Sequence, residues 1–388
     1  MAFIKRIILR FIQLQRVVRF FLFDSLVLKN VVQRKPKSLL VIQIEGIGDY
    51  ILFRNFFEAV KTSNRFADYS ITFCGSQAYR SIAETIDASV VSEFIWIDSS
   101  AFKKHANYRR SILSDIRKRG FEVVMNPVYS RDSILEDSVV RVSGATTTIG
   151  FRGDDIHAKP WERNIVNRYY TELIANPVDT VFEFCRTKFF FEAVLQTTIS
   201  IDKPSLPKMS FDSFVKYLNY AVLCPGAVVA KRRWRLKNFL QTAEYLHAQY
   251  NMASILVGGP QDQPSQNDLK EIEQRPYITN LIGKISLCQT IALIQKSQLV
   301  VSNDTGISHI GVAADVPVVV VSTGNHYGRF TEYPPEVYSK IFYAYPPEMN
   351  QSRRSLEELV EEFRDGSTLN INSILPKTIV SLIQKVLR

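Results

Sequence analysis

One segment, residues 295–326, constrains the fold of this 388-residue chain more than any other. It contains a short apolar run rich in β-branched residues (299–302), a stretch with helical spacing (307–314) and a second β-branched run (317–322). This order predicts a βαβ unit in a parallel sheet. The polar turn at residues 303–306 then lies at the carboxyl end of the first strand, where open α/β sheets bind their ligands.

The turn itself, Asn303-Asp304-Thr305-Gly306, opens the predicted helix. The first helical turn has N–H groups without helical partners and the positive end of the dipole, which suits a phosphate. His309 follows one helical turn after Gly306 and is expected on the same side. Two simpler interpretations stay open, because Asp304 or Thr305 could only cap the helix and a lone histidine is often structural.

Strand and helix patterns alternate along most of the chain and restart after a proline-containing linker at residues 201–207. Such alternation indicates doubly wound α/β domains, and the length allows two of them. We expect a basic amphipathic extension over residues 1–37, an N-terminal Rossmann-like domain over 38–203, a C-terminal Rossmann-like domain over 204–370 and a final helix over 371–388.

The positive charge is concentrated at the N-terminus. The whole chain has a net charge of +10, and residues 1–37 hold nine Lys/Arg against one acid, Asp24. The basic pI therefore belongs mostly to this extension, and we expect no nucleic-acid partner. Four scattered cysteines without a C-x-x-C pair predict free thiols in a reducing compartment, and structural zinc is not expected.

Residues 3–23 are mostly apolar, and polar residues recur at helical steps of three or four. These are Arg6, Arg10, Gln13, Arg16 and Arg19. The pattern predicts a basic amphipathic helix lying on an anionic membrane surface. The alternative is a helix that packs on the protein's own body or on a second subunit. No run of about 18 uncharged apolar residues exists, so a membrane span is not expected.

A second polar turn follows the apolar strand predicted at residues 38–45. Gly46 and Gly48 precede Asp49 at the start of a helix, but Ile51 occupies the third glycine position of a dinucleotide fingerprint. Asp49 could cap this helix, or it could take a proton from a bound hydroxyl. Further along, Arg109 and Arg110 are predicted on a solvated helix face, with contact to an anionic acceptor as the alternative. Residues 150–170 are predicted as a surface loop over a polar substrate.

Taken in order, five segments resemble glycosyltransferase family 9, the bacterial lipopolysaccharide heptosyltransferases of GT-B fold. The segments are residues 40–49, 225–239, 256–259, 281–287 and 302–309. The resemblance covers about residues 38–335. It implies two Rossmann-like doubly wound domains that face a central cleft. It also implies an inverting, metal-independent enzyme without a cofactor, which is cytoplasmic and peripheral at the inner face of the cytoplasmic membrane.

The implied reaction moves heptose from ADP-heptose to a lipopolysaccharide core or another anionic, lipid-linked saccharide. By position in the family motifs, Asp49 of the N-terminal lobe is the general base. Asp304, Thr305, Gly306 and His309 of the C-terminal lobe form the donor motif. Either Arg232 or Lys231 neutralises the diphosphate. Gly226 and Gly259 belong to the turns of the nucleotide site, and Ile285 lies beside the nucleotide base.

The chain departs from the family pattern at three places, one of which is the basic N-terminal extension, additional to the usual family start. Residues 322–326 replace the usual Gly-Pro-Thr-Asp, which leaves the identity of the donor sugar open. The acid expected after the Gly258-Gly259 turn is offered only by Asp262, beside Gln261. Two alternative functions remain from the sequence: a nucleotide-sugar epimerase of the same fold, and a non-catalytic nucleotide-sugar-binding protein.

Overall fold

The structure is a computed structural model that describes residues 15, 17–175, 177, 181–210, 217–349 and 354–387. It divides into two compact units. Unit 1 comprises residues 1–46, 56–180 and 185–200, and unit 2 comprises residues 47–55, 181–184 and 201–388, within the described ranges.

The named elements follow in chain order. Strands are β1 Ser38–Gln43, β2 Ser70–Ser76, β3 Glu93–Ile97, β4 Val123–Asn126, β5 Thr147–Phe151, β6 Glu172–Ile174, β7 Tyr220–Cys224, β8 Ala253–Leu256, β9 Ile278–Asn280, β10 Leu299–Asn303, β11 Val318–Val321 and β12 Ile341–Ala344. Helices are α1 Ile47–Phe53, α2 Phe56–Thr62, α3 Arg80–Ile86, α4 Ser99–Lys104, α5 Ala106–Arg119, α6 Glu136–Ser143, α7 Pro160–Val166, α8 Glu183–Leu195, α9 Leu236–Tyr250, α10 Gln266–Glu273, α11 Leu287–Gln295, α12 Gly306–Ala313, α13 Leu356–Phe363 and α14 Pro376–Val386.

Unit 1 contains a six-stranded sheet in the order β3-β2-β1-β4-β5-β6. Every pair in it is parallel; Leu40 of β1 lies opposite Thr72 of β2 and Val124 of β4. Five of the six residues of β1 are buried, as a central parallel strand covered on both faces requires. The strand order reverses between β1 and β4, so this point is a topological switch point.

Unit 2 repeats this topology in the order β12-β11-β10-β7-β8-β9. All five pairs are parallel, and the four valines of β11 are fully buried. The βαβ unit expected over residues 295–326 is present as β10, α12 and β11. Helix α14, expected as a separate final helix, packs Ile379 and Ile383 into the core of unit 2.

Residues 47–55 differ from the sequence expectation. The sequence analysis placed Asp49 in the N-terminal lobe, opposite Asp304, whereas α1 groups with unit 2, the unit that contains Asp304. The physical reason is a close contact between α1 and α12, in which Gly48 lies against the His309 side chain. Residues 160–166 also differ, because they form helix α7 rather than loop.

The predicted membrane helix at residues 3–23 lies mostly outside the described residues, and those at 17–27 are helical. Their one acid, Asp24, is buried and forms a bidentate ion pair with Arg109 of α5, with N–O distances of 2.7 and 2.6 Å. The prediction that Arg109 is solvated was therefore wrong, whereas Arg110 is exposed. In the part of the chain that the structure describes, no helix is long and apolar enough to cross a membrane.

We expect Arg109→Ala to destabilise unit 1 by about 3–5 kcal/mol, because it leaves the Asp24 carboxylate buried without its partner. The matched control is Arg110→Ala on the same helix, which removes an exposed guanidinium and should change stability by less than about 0.5 kcal/mol. Urea unfolding followed by circular dichroism measures both. Overlapping curves for the two variants would show that the Asp24–Arg109 pair does not hold the N-terminal helix in place.

Candidate active site

The candidate site of unit 2 is at its topological switch point, where β7 and β10 are neighbours. Ser302 of β10 lies opposite Cys224 of β7, so the turns that follow the two strands leave the same edge of the sheet. Gly226 is in the first turn and Asp304 in the second. This edge is where open parallel sheets bind ligands.

Asp304 is 5% exposed and is held by two side chains. Its Oδ2 accepts a hydrogen bond from Ser322 Oγ at 3.1 Å and lies 3.2 Å from Nη2 of Arg232. The same Nη2 donates to the Asp304 carbonyl oxygen at 2.6 Å. Ser322 was not identified as a site residue from the sequence, where it only marked a departure from the family motif.

Arg232 and Lys231 are neighbours, yet they point to different partners. Lys231 Nζ donates to the Ser367 carbonyl at 3.1 Å, while Arg232 reaches Asp304. The Nε of Arg232 is buried and lacks a hydrogen-bond partner among the described residues. A buried guanidinium N–H without a partner leaves a donor for an anionic ligand.

Asn303 holds the two turns together and was missed by the sequence analysis. Its Nδ2 donates to the Pro225 carbonyl at 2.8 Å, and its Oδ1 accepts from the backbone N–H of Trp234 at 3.1 Å. It thereby ties the end of β10 to the segment that carries Arg232. The only signal in the sequence was its position immediately before Asp304.

Helix α12 begins at Gly306 with Thr305 as its N-cap. The Thr305 backbone is extended, and its side chain makes no cap hydrogen bond. The simpler interpretation, in which Thr305 serves the helix only as a side-chain cap, is therefore not supported. The first turn of α12 offers backbone N–H groups and the positive dipole end at the switch point.

His309 is buried within α12, and its Nδ1 lies 2.6 Å from the Tyr333 hydroxyl. Burial lowers the pKa of His309 from 6.5 to about 4; Asp304 opposes this shift and Arg232 adds to it. The imidazole is therefore neutral at pH 7. It is positioned by Tyr333, which the sequence analysis did not identify.

Two glycines allow α1 to approach α12 closely. A Cβ on Gly48 would lie 2.7 Å from His309 Cδ2, and a Cβ on Gly306 would lie 3.0 Å from the Cβ of Ile47. A larger residue at Gly48 would have to displace the buried His309 ring, and one at Gly306 would require Ile47 to give way slightly. Asp49, half-buried in the first turn of α1, therefore comes directly after the residue that contacts His309.

Asp262 organises the turns after β7 and β8. Its Oδ2 accepts from the Gly259 N–H at 3.0 Å, and its Oδ1 pairs with Arg233 Nη2 at 3.1 Å. A Cβ on Gly226 would lie 2.3 Å from Asp262 Oδ2, so a larger residue there would push the Asp262 carboxylate away from its partners. Ile285 is farther away, in the half-buried loop after β9, which is two strands, or about 10 Å, from β7.

Unit 1 has a cavity of about 350 Å³ beyond the carboxyl ends of its first strands. Its lining includes Glu45, Gly46, Lys103, Asp132 and His157. Lys103 Nζ lies 2.5 Å from Asp132 Oδ2. Across the described ranges, no group of three or more His, Cys, Asp or Glu is arranged to hold a metal ion.

Burial, with Glu45 and Asp132 nearby, raises the pKa of the fully buried Glu136 carboxyl well above its usual range.

The sequence-family model for glycosyltransferase family 9 (heptosyltransferase) matches residues 110–358 of this chain. The chain belongs to glycosyltransferase family 9. The curated relatives of this family 9 protein include lipooligosaccharide heptosyltransferase 2 of Haemophilus influenzae, 32% identical over 102 residues, and lipopolysaccharide heptosyltransferase 3 of Escherichia coli, 30% identical over 130 residues. The matches cover 25% and 32% of this chain and span only 29% and 38% of the two relatives.

Solved structures of the family have the same fold. A family 9 glycosyltransferase from Veillonella parvula superposes with a TM-score of 0.65 at 16% identity and covers 92% of this chain and 99% of its own. An E. coli heptosyltransferase with ADP gives 0.66 at 14% identity and covers 90% and 99%. The same enzyme with ADP-2-deoxy-2-fluoro heptose gives 0.64 at 13% identity, with the same coverage. These matches confirm the predicted α/β class with two doubly wound units of GT-B type; the central cleft stays a prediction.

Because the pKa of His309 is about 4 in the folded chain and 6.5 is its ordinary value, only the unfolded chain binds this proton between those pH values. Folding stability should therefore fall as the pH is lowered from 7 to 5, with His309 contributing about 2 kcal/mol of the loss. The variant His309→Gln, which can still hydrogen-bond Tyr333, should lose about 2 kcal/mol less over this range.

Urea unfolding of both proteins at pH 7 and pH 5 measures the difference. Every other titrating group is shared by the two proteins, so the wild type is the control. Parallel stability curves would contradict a neutral, buried His309.

Proposed function

We propose that this family 9 protein transfers a sugar from a nucleotide-diphosphate sugar to a hydroxyl of a lipid-linked saccharide. The donor is ADP-heptose and the acceptor is a lipopolysaccharide core, in line with the names of the relatives and with the ADP and ADP-sugar in similar structures. Two contacts carry the proposal. Arg232 is hydrogen-bonded to Asp304, immediately before α12. Helix α1 packs against α12 through Gly48, and Asp49 is the next residue of α1.

The diphosphate of the donor binds at the N-terminus of α12, with the backbone of Thr305 and Gly306 around it. Helix dipole and N–H groups favour the anion there. Arg232 adds the fixed positive charge, and its buried Nε has a donor to offer. We assign this role to Arg232 rather than Lys231, because Lys231 is directed to the Ser367 carbonyl. In the bound donor, Asp304 lies near the transferred sugar, and Ile285 lies near the nucleotide base.

Asp49 is the general base in this proposal. Its carboxylate takes the proton of the acceptor hydroxyl, and the oxygen lone pair forms the new bond to the anomeric carbon. The bond from that carbon to the diphosphate breaks on the opposite side, and the electron pair leaves with the nucleoside diphosphate. Attack opposite the leaving group inverts the anomeric centre. Arg232 and the start of α12 stabilise the leaving charge, and the mechanism assigns no step to a metal.

The acceptor saccharide binds the cavity of unit 1. Gly46 lines that cavity and precedes Asp49 by three residues, a distance of at most about 10 Å along the chain. Lys103 is the cationic candidate for an anionic acceptor, and His157 lines the same cavity as a hydrogen-bonding side chain. Because this acceptor carries a lipid, we place the protein in the cytoplasm, peripheral at the inner face of the cytoplasmic membrane, with residues 3–23 toward the lipid.

Arg232→Ala should weaken binding of ADP and ADP-heptose by at least about tenfold, because it removes a charge-assisted contact to the diphosphate. Lys231→Ala is the matched control and should bind within about threefold of the wild type, an effect near 0.6 kcal/mol. A thermal-shift titration with ADP-, GDP-, UDP- and CMP-sugars measures both effects, because a ligand of the folded state raises Tm. It also identifies which nucleotide base the donor carries. A larger loss in Lys231→Ala would reverse the assignment.

Asp49→Asn should lower kcat by at least about a hundredfold, because the amide cannot accept the proton, while donor affinity stays nearly unchanged. The measurement is release of nucleoside diphosphate with donor and saccharide acceptor, together with donor titration. Equal losses of turnover and donor affinity would assign Asp49 to structure instead. In a control with wild-type protein and donor alone, conversion of the donor to an epimeric sugar would identify an epimerase. If the wild type shows no turnover with donor and any acceptor, the protein only binds nucleotide sugars.

A further inference from the structure

The described part of the N-terminal helix leaves a row of aliphatic side chains uncovered. Val18, Leu22 and Leu26 follow at steps of four, so they share one side of the helix. They are 45%, 62% and 46% exposed. Trp161 and Ile165, one turn apart on α7, are 40% and 39% exposed. We call these five residues the apolar face.

An apolar groove of about 160 Å³ runs between the helix and α7. Its lining comes from both elements, from α6 and the segment before it, and from the turn after α7. Among the lining residues are Val17, Phe21, Ile134, Trp161, Ile165 and Tyr169. Val18, Trp161 and Ile165 belong both to the groove and to the apolar face, so the two features form one continuous surface. A continuous apolar patch on a folded surface marks an interaction site more often than scattered residues do.

This surface is held in place by two arginines of unit 1. Arg109 pairs with the buried Asp24, and its guanidinium lies 4.5 Å from the ring centroid of Phe20. Arg141 donates to the Phe21 carbonyl at 2.9 Å and to Ser25 Oγ at 2.8 Å. The helix is therefore anchored through its inner side. Val18, Leu22 and Leu26 take no part in these anchoring contacts and stay exposed.

The charge of the same segment favours an anionic partner. Residues 1–37 carry nine Lys/Arg, and their one acid, Asp24, is neutralised internally by Arg109. Asp24 therefore does not reduce the positive charge that this segment presents to a binding partner. Arg19 and Lys29, both exposed, flank the aliphatic row. A second copy of this chain would bring the same positive charge to the same surface, so charge complementarity favours an anionic lipid over self-association.

We propose that the apolar face, with the exposed Arg19 and Lys29 beside it, binds the surface of an anionic phospholipid bilayer, with an acyl chain in the groove. The proposal deepens the membrane location given above and rests on that part of the proposed function. The aliphatic row enters the boundary between headgroups and acyl chains, and the basic side chains meet the lipid phosphates. Trp161 lies at the level of the headgroups, where an indole is favoured.

The test uses the full chain and vesicles of either phosphatidylglycerol with phosphatidylethanolamine or phosphatidylcholine alone. We expect flotation with the anionic vesicles only, and loss of binding at about 0.5 M salt, where surface charges are screened. The double variant Leu22→Gln/Leu26→Gln should bind at least about tenfold more weakly, because it removes two apolar side chains from the contact. The matched control is Leu218→Gln/Val228→Gln in unit 2, which changes two residues that are 96% and 93% exposed and should bind as the wild type does.

Trp161 reports the contact directly. The other two tryptophans are Trp96 and the buried Trp234, so the difference in fluorescence between the wild type and Trp161→Phe isolates its signal. Anionic vesicles should shift this difference spectrum to shorter wavelength. An unchanged spectrum, or equal binding by the two double variants, would overturn the proposal. So would a wild-type dimer that Leu22→Gln/Leu26→Gln converts to monomer without any vesicle binding, because the face would then be a subunit interface.

A transfer assay with a delipidated saccharide acceptor separates this proposal from the proposed function. Leu22→Gln/Leu26→Gln should retain wild-type turnover on the soluble acceptor and lose vesicle binding. Turnover without wild-type vesicle binding would overturn the lipid surface alone. Vesicle binding without turnover on any acceptor would overturn the transferase and leave the lipid surface supported.

Discussion

The close approach of α1 to α12 is the constraint on which the candidate site depends. Gly48 lies against the His309 side chain, and Gly306 lies against Ile47, with no space for a Cβ at the first position. This contact places the turn that carries Asp49 beside the helix that begins with the donor motif. It also explains why residues 47–55 group with unit 2 although β1, which precedes them, belongs to unit 1. The proposed general base and the proposed phosphate-binding helix start are thus brought together where two glycines pack against the His309 and Ile47 side chains.

Two buried or half-buried arginines also organise the structure. An acidic partner fixes the position of each guanidinium group. Arg232 is directed by the carbonyl and carboxylate of Asp304, and Asn303 fixes the backbone that carries it. Arg109 holds the N-terminal helix through Asp24. Planar guanidinium groups suit such sites because they form several hydrogen bonds at fixed angles and stay charged when buried. The same property leaves the buried Nε of Arg232 as a donor for the diphosphate of the proposed reaction.

The two units share one sheet topology and differ in what lies beyond the carboxyl ends of their strands. Unit 2 has glycine turns, a helix start and Arg232, which suit a phosphate. Unit 1 has a cavity lined by charged groups, which suits a hydroxyl-rich ligand. The additional N-terminal helix is fixed to unit 1 and leaves an apolar face beside a basic segment. Donor, acceptor and lipid surface thus have separate candidate sites, each with its own chemistry.

The sequence alone determined the parallel α/β class, the βαβ unit around Asp304 and the glycine positions of the turns, because strand and helix periodicity and turn chemistry are local. It also indicated the family, since five motifs occurred in order. Only the tertiary structure decided that Arg109 is buried, that α1 packs with unit 2, and that Asn303, Ser322 and Tyr333 belong to the site. These features depend on contacts between residues far apart in the chain. A helical pattern shows that a residue is on a polar stripe, but whether that stripe meets water or a buried carboxylate depends on which distant element packs against it.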